Sequence, residues 1–134
     1  MGEPDGAIII RTSFVGWKHG LLRWLVSQPT GSTIPGWMSA SWSGGTVYQV
    51  AESLADMAIN PPERGVHHLS TEEPITKYHL LNTITQRAQL PYTIIPTDRP
   101  IINRALHPTI LLPPFEDGVD DLTAAYYNLH PSRA

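Results

Sequence analysis

Residues 65–84 of the chain have the sequence GVHHLSTEEPITKYHLLNTI, and this stretch decides the fold. The apolar run at residues 66–69, opened by Gly65, is typical of a short buried strand. Thr76 is typical of a helix N-cap, because its hydroxyl can accept a hydrogen bond from a free backbone N–H. Apolar side chains then recur at helical spacing, at Tyr78, Leu81, Ile84 and Ala88. The pattern predicts a strand, a tight loop and an amphipathic helix, which is a unit of an α/β protein.

The composition bounds the class of protein. A chain of 134 residues is one domain by length and can bury one core. Its net charge of −3 includes no block of like charge, so we expect no nucleic acid partner. It has no cysteine, no apolar run as long as a membrane span and no secretory signal at its start. We therefore expect a cytoplasmic protein with no membrane partner.

Further helices and strands are predicted on both sides of this unit. The β-branched run at residues 7–10 predicts a buried parallel strand, and residues 92–95, between two prolines, predict a second short strand. Helices are predicted at residues 19–28, from Thr46 to the Pro61-Pro62 pair, and at residues 117–129. The helix from Thr46 has a stripe of Val47, Val50, Ala51, Leu54 and Ala58.

Residues 30–45 are rich in Gly, Ser and Trp and have little periodicity. They predict a loop with at most one short strand around residues 33–34. Trp37 and Trp42 in this loop allow two interpretations, because aromatic rings dominate cores as well as binding faces. In the first interpretation they form a platform on which a base or a sugar stacks. In the second they fill the edge of the core.

Two hydroxyl side chains follow the first predicted strand. Thr12 and Ser13 stand at its carboxyl end, where an open α/β sheet binds ligands. They are candidate ligand contacts by position, and the alternative is that their hydroxyls cap the next turn.

Common catalytic and metal motifs are absent from the sequence. It has no glycine-rich dinucleotide turn, no phosphate loop, no zinc-protease motif and no serine-hydrolase elbow. His67 and His68 are adjacent, so on a strand they point to opposite faces and cannot share a metal. Glu72 and Glu73 are candidates for a general acid and a general base. The alternative is that they interact with the positive end of the helix dipole, as carboxylates just before a helix typically do. We expect no metal site.

Four motifs in order carry a resemblance to a known family. They are IIRTSFVG at residues 9–16, SGGT at residues 43–46, GVHHLS with EPITKY at residues 65–78, and RPIINRAL at residues 99–106. Together they resemble the carboxyl-terminal half of the dTDP-4-dehydrorhamnose reductase family, extended short-chain dehydrogenases that act on nucleotide sugars. The similarity covers about residues 7–112, and residues 113–134 are expected to form a terminal helix and tail of the same single lobe, residues 1–134.

This resemblance implies a partial Rossmann-type α/β fold. The lobe would have a few short strands and three to four helices, without the amino-terminal half that binds the dinucleotide. The resemblance places Thr12 and Ser13 beside the nicotinamide end of the cofactor, and it places Arg99 at the nucleotide diphosphate. A guanidinium suits that position because it binds phosphate oxygens in pairs, although a solvated loop arginine is the alternative. Trp42 and Arg104 complete the predicted substrate contacts.

The sequence departs from the family at two points. His107 and Pro108 follow Leu106, where relatives usually have an aspartate, so contacts of this turn are in question. The Tyr-x-x-x-Lys pair of the family is absent, because the residues four before Lys18 and Lys77 are Phe14 and Glu73. The acid that protonates the substrate oxygen, and the lysine that lowers its pKa, are therefore missing. We expect no catalytic residue here and no cofactor bound by this chain alone, although NAD(P) serves the intact family fold.

Two functions follow from these features. The first is the substrate-binding portion of an NAD(P)-dependent nucleotide-sugar reductase, working with a Rossmann half. The alternative is a non-catalytic interaction or regulatory module that kept the pocket-side lobe and binds a partner protein or a nucleotide sugar. In either case the first strand would have an open edge, so we expect docking of a Rossmann half or self-association.

The missing catalytic pair makes a first prediction. The isolated 134-residue chain should show no NADPH oxidation with any dTDP-keto sugar in a spectrophotometric assay. Measurable turnover by the purified chain would contradict it.

Overall fold

The computed structural model describes residues 6–98, 102–103, 105 and 107–129, which form an α/β fold. The helices are α1 (Gly20–Val26), α2 (Val47–Ile59), α3 (Lys77–Arg87) and α4 (Val119–Leu129), with a 3-10 turn (Phe115–Gly118) before α4. The strands are β1 (Ile8–Thr12), β2 (Phe14–Val15), β3 (Thr33–Trp37), β4 (Ala40–Trp42), β5 (Gly45–Thr46), β6 (Gly65–Ser70), β7 (Ile75–Thr76), β8 (Thr93–Thr97), β9 (Ile102–Asn103) and β10 (Ile110–Leu111). In the part of the chain described here, no helix is long and apolar enough to cross a bilayer.

The strands form several small sheets. In the main sheet β6 lies between β1 and β10, and both pairs are parallel. β3 pairs with β8 and β2 with β5, also in parallel, whereas β4 lies between β7 and β9. The predicted parallel strand at residues 7–10 is confirmed as β1, but the prediction that it is buried is wrong. Ile10 packs against a small apolar cluster, while Ile8 lies beyond that cluster and is 39% exposed.

The predicted strand, loop and helix of residues 65–84 are confirmed as β6 and α3. The N-cap is also confirmed, because the Thr76 hydroxyl accepts a hydrogen bond from the backbone N–H of His79 at 3.0 Å. The buried side of α3 consists of Leu80, Leu81, Ile84, Thr85 and, just after the helix, Ala88. The sequence did not predict β7, whose two residues pair antiparallel with β4 immediately before the helix.

The main core joins three helices and one sheet. Its buried side chains include Leu22 and Leu25 of α1, Leu81 and Ile84 of α3, Ile34 of β3, Ile94 of β8, and Val119, Leu122 and Tyr126 of α4. The predicted helix at residues 19–28 is confirmed as α1, which is shorter than predicted. The predicted helix at residues 117–129 is confirmed as the 3-10 turn followed by α4. The predicted strand at residues 92–95 is confirmed as β8, which is shifted by one or two residues.

Helix α2 begins as predicted but is buried only near its start. Thr46 and Gln49 form a capping box, in which each side chain bonds the backbone N–H of the other. The Gln49 amide also donates to the Pro114 carbonyl at 2.9 Å. The predicted apolar stripe is therefore only partly covered, since Leu54 is 42% exposed. Within the described part of the chain, α2 joins a small apolar cluster of Val50, Leu69 and Leu112 mainly through Val50.

The short strand predicted around residues 33–34 is confirmed as the start of β3, but the loop predicted for the rest of residues 30–45 is wrong, because the segment also contains β4 and the first residue of β5. Pro35 and Gly36, which indicated a loop, lie inside β3. Gly36 is required there by α3, since a Cβ at this position would come within 2.8 Å of the Tyr78 Cα. The partner strand β8 is remote in sequence, so no local pattern indicates the pairing.

Two side-chain pairs connect α3 to the end of the chain. The Arg87 guanidinium donates to Asp120 at 3.0 Å, and the His79 Nε2 donates to the Glu116 carboxylate at 2.6 Å. The hydrogen bond from His79 lowers the pKa of Glu116 below its ordinary value of 4.5, although partial burial opposes this shift.

The close contact at Gly36 makes a second prediction. Gly36→Ala should destabilise the fold by about 1–3 kcal/mol in urea unfolding, because the methyl group would meet helix backbone that cannot move aside. Thr33→Ala, on an exposed position of the same strand, is the control and should change stability by less than about 0.5 kcal/mol. Equal stability of the two variants would contradict the packing described here.

The lowered pKa of Glu116 makes a third prediction. Its carboxylate stabilises the fold above the unfolded pKa, and this contribution is lost as the pH falls through the lower folded pKa. Glu116→Gln should therefore lose less stability than the parent between about pH 5 and pH 3. The difference should stay below about 1 kcal/mol because the pair is largely exposed. His79→Ala should likewise lose less stability than the parent over this pH range. If the stability of both variants fell with pH in parallel with that of the parent, the role of this pair would be contradicted.

Candidate functional site

A cleft of about 530 Å³ opens where β1 ends. Ser13, the residue after β1, lies in its wall together with parts of β2, β3, β4 and the first residues of α1 and α3. The volume is in the range of small-molecule sites, roughly 300–1,000 Å³. The polar and aromatic side chains in the wall are those of Ser13, Phe14, His19, Trp37, Ser41, Trp42 and Lys77.

Two of the predicted site residues meet in this wall. The Trp42 Nε1 donates a hydrogen bond to the Ser13 Oγ at 2.7 Å. The backbone N–H of Gly45 donates to the Ser13 carbonyl at 3.1 Å. Gly44 permits this approach, since a Cβ there would collide with the same carbonyl. These hydrogen bonds fix both the side chain and the backbone of Ser13. In both of them Ser13 is the acceptor, so neither uses its O–H as a donor.

Trp42 belongs to the core edge and to the cleft. Its ring meets Phe115 edge to face, with centroids 5.6 Å apart and planes at 79°, and it packs partly buried against the main core. The interpretation of Trp42 as a residue of the core edge is confirmed. Because the indole also lines the cleft, stacking on a base or a sugar remains a prediction.

Thr12 has a structural contact. Its hydroxyl donates to the Leu69 carbonyl at 2.8 Å, which joins the end of β1 to β6. Thr12 does not line the cleft, which begins with the next residue, Ser13. A contact between Thr12 and the cofactor therefore stays a prediction.

The sequence did not single out Lys77 as a site residue. The Lys77 ammonium lies 3.8 Å from the ring centroid of Trp37, in a cation–π contact. Phe14, at the same cleft, is 55% exposed. A signal for Lys77 was present in the sequence, since a lysine directly after a helix N-cap opposes the helix dipole.

Other predicted contacts cannot be placed. Arg99 and Arg104, predicted to bind the substrate, lie outside the described residues, so both remain predictions. Among the residues that are described, no group of three or more His, Asp or Glu side chains could hold a metal ion.

A second groove of about 460 Å³ lies next to the cleft and shares Phe14 and His19 with it. Its wall is largely apolar and includes Tyr48 of α2 and Leu129 at the end of α4. Tyr48 is 43% exposed and Leu129 is 52% exposed. On the same helix, α2, the last residue Ile59 is 77% exposed.

Comparison with known proteins finds a likeness of fold. No protein-family model and no curated protein matches the chain. Among solved structures, three dTDP-4-dehydrorhamnose reductases are similar to it. The one from Bacillus anthracis, in complex with NADP, is 15% identical with a TM-score of 0.66, and the match covers 88% of this chain and 48% of that protein.

The other two reductases give the same result. For the protein from Clostridium acetobutylicum the values are 8% identity, a TM-score of 0.71 and coverage of 89% and 48%. For the protein from Yersinia enterocolitica they are 14%, 0.59, and 89% and 49%. The chain thus spans about half the length of these reductases, and the predicted resemblance is confirmed as a shared partial Rossmann-type α/β fold.

Proposed function

We propose that this chain is the substrate-binding portion of an NAD(P)-dependent nucleotide-sugar reductase similar to dTDP-4-dehydrorhamnose reductase. The observation that carries the proposal is the likeness of fold to three such reductases over 88–89% of the chain. The cleft at the end of β1 supports it, because ligands of open α/β sheets bind at the carboxyl ends of the strands.

The chemistry of the cleft suits a nucleotide sugar. Such a ligand has a flat base, a hydroxyl-rich sugar and a negatively charged diphosphate. Trp37 and Trp42 offer aromatic faces, and Ser13 offers a hydroxyl that Trp42 holds in place. We propose that these side chains orient the sugar and the base, with Arg99 and Arg104 as further contacts to the ligand.

The reduction itself needs groups that this sequence does not have. A reductase of this kind takes a hydride from the nicotinamide and a proton from the tyrosine of a Tyr-x-x-x-Lys pair, which this chain lacks. We propose that an amino-terminal half, on the same polypeptide or separately made, supplies the acid and holds NAD(P). Thr12 and Ser13 would then lie beside the nicotinamide. We place the function in the cytoplasm, which the absence of cysteines fits.

The edge of β1 supports such a partner. β1 lies at one edge of its sheet among the described strands, and parallel sheets are usually covered on both faces. Ile8 on this strand is an exposed apolar side chain. We propose that the dinucleotide-binding half extends the sheet from the free edge of β1 and covers Ile8. Self-association through the same edge is the competing outcome.

Binding of a nucleotide sugar tests the proposal. Calorimetry with dTDP-glucose should detect binding to the 134-residue chain. Trp42→Phe should weaken it by about two- to tenfold, because a smaller ring stacks less well and no longer bonds Ser13. Trp24→Phe is the matched control, since Trp24 is 44% exposed and lies outside the cleft wall. It should bind like the parent.

Two further results separate the possible functions. The gene segment upstream of this chain should encode a glycine-rich strand-turn-helix and a Tyr-x-x-x-Lys pair. Co-expression of that segment with the chain should restore NADPH oxidation. Binding of dTDP-glucose without restored turnover would favour the non-catalytic module. Absence of binding, with no such upstream motifs, would overturn the proposed function.

A further inference from the structure

The hydroxyl of Ser13 accepts a hydrogen bond from Trp42. The indole nitrogen lies 2.7 Å from the Ser13 Oγ, and an indole N–H can only donate. A serine hydroxyl has one O–H to donate and two lone pairs that accept. Ser13 therefore bonds Trp42 through a lone pair, and its own O–H is directed elsewhere.

The O–H of Ser13 has no acceptor among the residues whose structure is described. There, the side-chain hydrogen bond of Ser13 is the one from Trp42. The neighbouring Thr12 is the opposite case, because its hydroxyl donates to the Leu69 carbonyl at 2.8 Å. Ser13 is half-buried and lines the cleft. A ligand in the cleft can therefore accept a hydrogen bond from Ser13, whereas the hydroxyl of Thr12 is used inside the protein.

The direction of this donor is set before a ligand binds. The Trp42 ring is partly buried against the main core and meets Phe115 edge to face. The backbone of Ser13 is held as well, since its carbonyl accepts from the N–H of Gly45 at 3.1 Å. The hydroxyl cannot turn round to accept from a ligand without losing its bond to the indole. The wall thus presents a preorganised donor at this point.

A donor in such a wall selects the kind of oxygen that it meets. The residues around Ser13 in the cleft are mostly aromatic or aliphatic. A carbonyl oxygen only accepts, so one hydrogen bond from Ser13 satisfies it. A sugar hydroxyl also brings an O–H that needs its own acceptor, and a polar group left unpaired away from water costs binding free energy. The position favours a carbonyl oxygen over a hydroxyl.

We infer that Ser13 donates to the carbonyl oxygen of a keto sugar and that Trp42 is the residue that positions it. The inference rests on the proposed function and deepens it, because it names the oxidised sugar as the form that the cleft prefers. In that proposal Ser13 lies beside the nicotinamide, whose hydride is transferred to the carbonyl carbon. Reduction turns the carbonyl into a hydroxyl, so the contact with Ser13 favours the keto substrate over the alcohol product.

Two ligands that differ in this one group test the inference. They are dTDP-4-dehydro-6-deoxyglucose, which has the carbonyl, and dTDP-6-deoxyglucose, which has a hydroxyl at the same carbon. Calorimetry on the whole chain should show about threefold to tenfold tighter binding of the keto sugar. Ser13→Ala should remove most of this preference. Ser53→Ala is the matched control, since Ser53 is a half-buried serine of α2 outside the cleft wall, and it should keep the preference.

Trp42→Phe separates positioning from stacking. Without the indole N–H, the Ser13 hydroxyl can turn and accept from a sugar hydroxyl, so the preference for the keto sugar should shrink. A tryptophan that only stacks would instead weaken both ligands by the same factor. In the Ser13→Ala background, Trp42→Phe should leave the ratio of the two affinities unchanged. Thermal unfolding checks each variant, and Trp42→Phe decides the question if Ser13→Ala does not fold.

The outcomes distinguish this inference from the proposed function. Loss of the keto preference in both Ser13→Ala and Trp42→Phe would support the inference. Equal affinity of the parent for the two ligands, or a preference that depends on Ser41 of the same wall and not on Ser13, would overturn it. The proposed function would then still stand on the binding of dTDP-glucose. A chain that binds neither deoxy sugar nor dTDP-glucose would overturn both.

Discussion

The site depends on the approach of β3 to the start of α3 at Gly36. Because Gly36 has no side chain, the strand lies against the backbone of Tyr78 with no Cβ between them. The residue after Gly36 and the residue before Tyr78 are then brought together, so Trp37 meets Lys77 across the contact. The burial of Ile34 on the strand and of Leu81 on the helix stabilises the approach, since both side chains belong to the main core. Any side chain at residue 36 would move the two elements apart and separate the aromatic ring from the cation.

The opposite wall of the cleft is held by a second close approach. Gly44 allows the backbone after β1 to lie against the segment between β4 and β5, and there Trp42 reaches Ser13. Phe115, in the 3-10 turn before α4, packs edge to face against this indole. Both walls are therefore built by contacts between segments that are far apart in sequence. A cleft of this kind is preorganised, which lowers the conformational entropy lost when a ligand binds.

The sequence predicted those elements whose signals are local. Thr46 and Thr76 begin their helices as expected, because a hydroxyl before an apolar helical pattern has one physical use. Only the first two residues of β3 were predicted, because Pro35 and Gly36 interrupt the pattern, and β4 was missed because its partners are remote in sequence. The exposure of Leu54 on α2 could not be predicted, since periodicity shows which face is apolar but not whether anything covers it. Of the site, Ser13 and Trp42 were predicted separately, whereas their contact and the contact of Lys77 with Trp37 need the tertiary structure.

Three features fit the proposed function: the open edge of β1 among the described strands, the exposed outer side of α2, and the match to about half of each similar reductase. In that proposal the chain holds the ligand and a partner carries out the chemistry. Nitrogen-edited NMR of the four indole N–H signals during titration with dTDP-glucose tests this most directly. The signals of Trp37 and Trp42 should shift and saturate, while those of the buried Trp17 and the remote Trp24 should stay in place. Unchanged signals from Trp37 and Trp42 at saturating ligand would contradict a nucleotide-sugar site in this cleft.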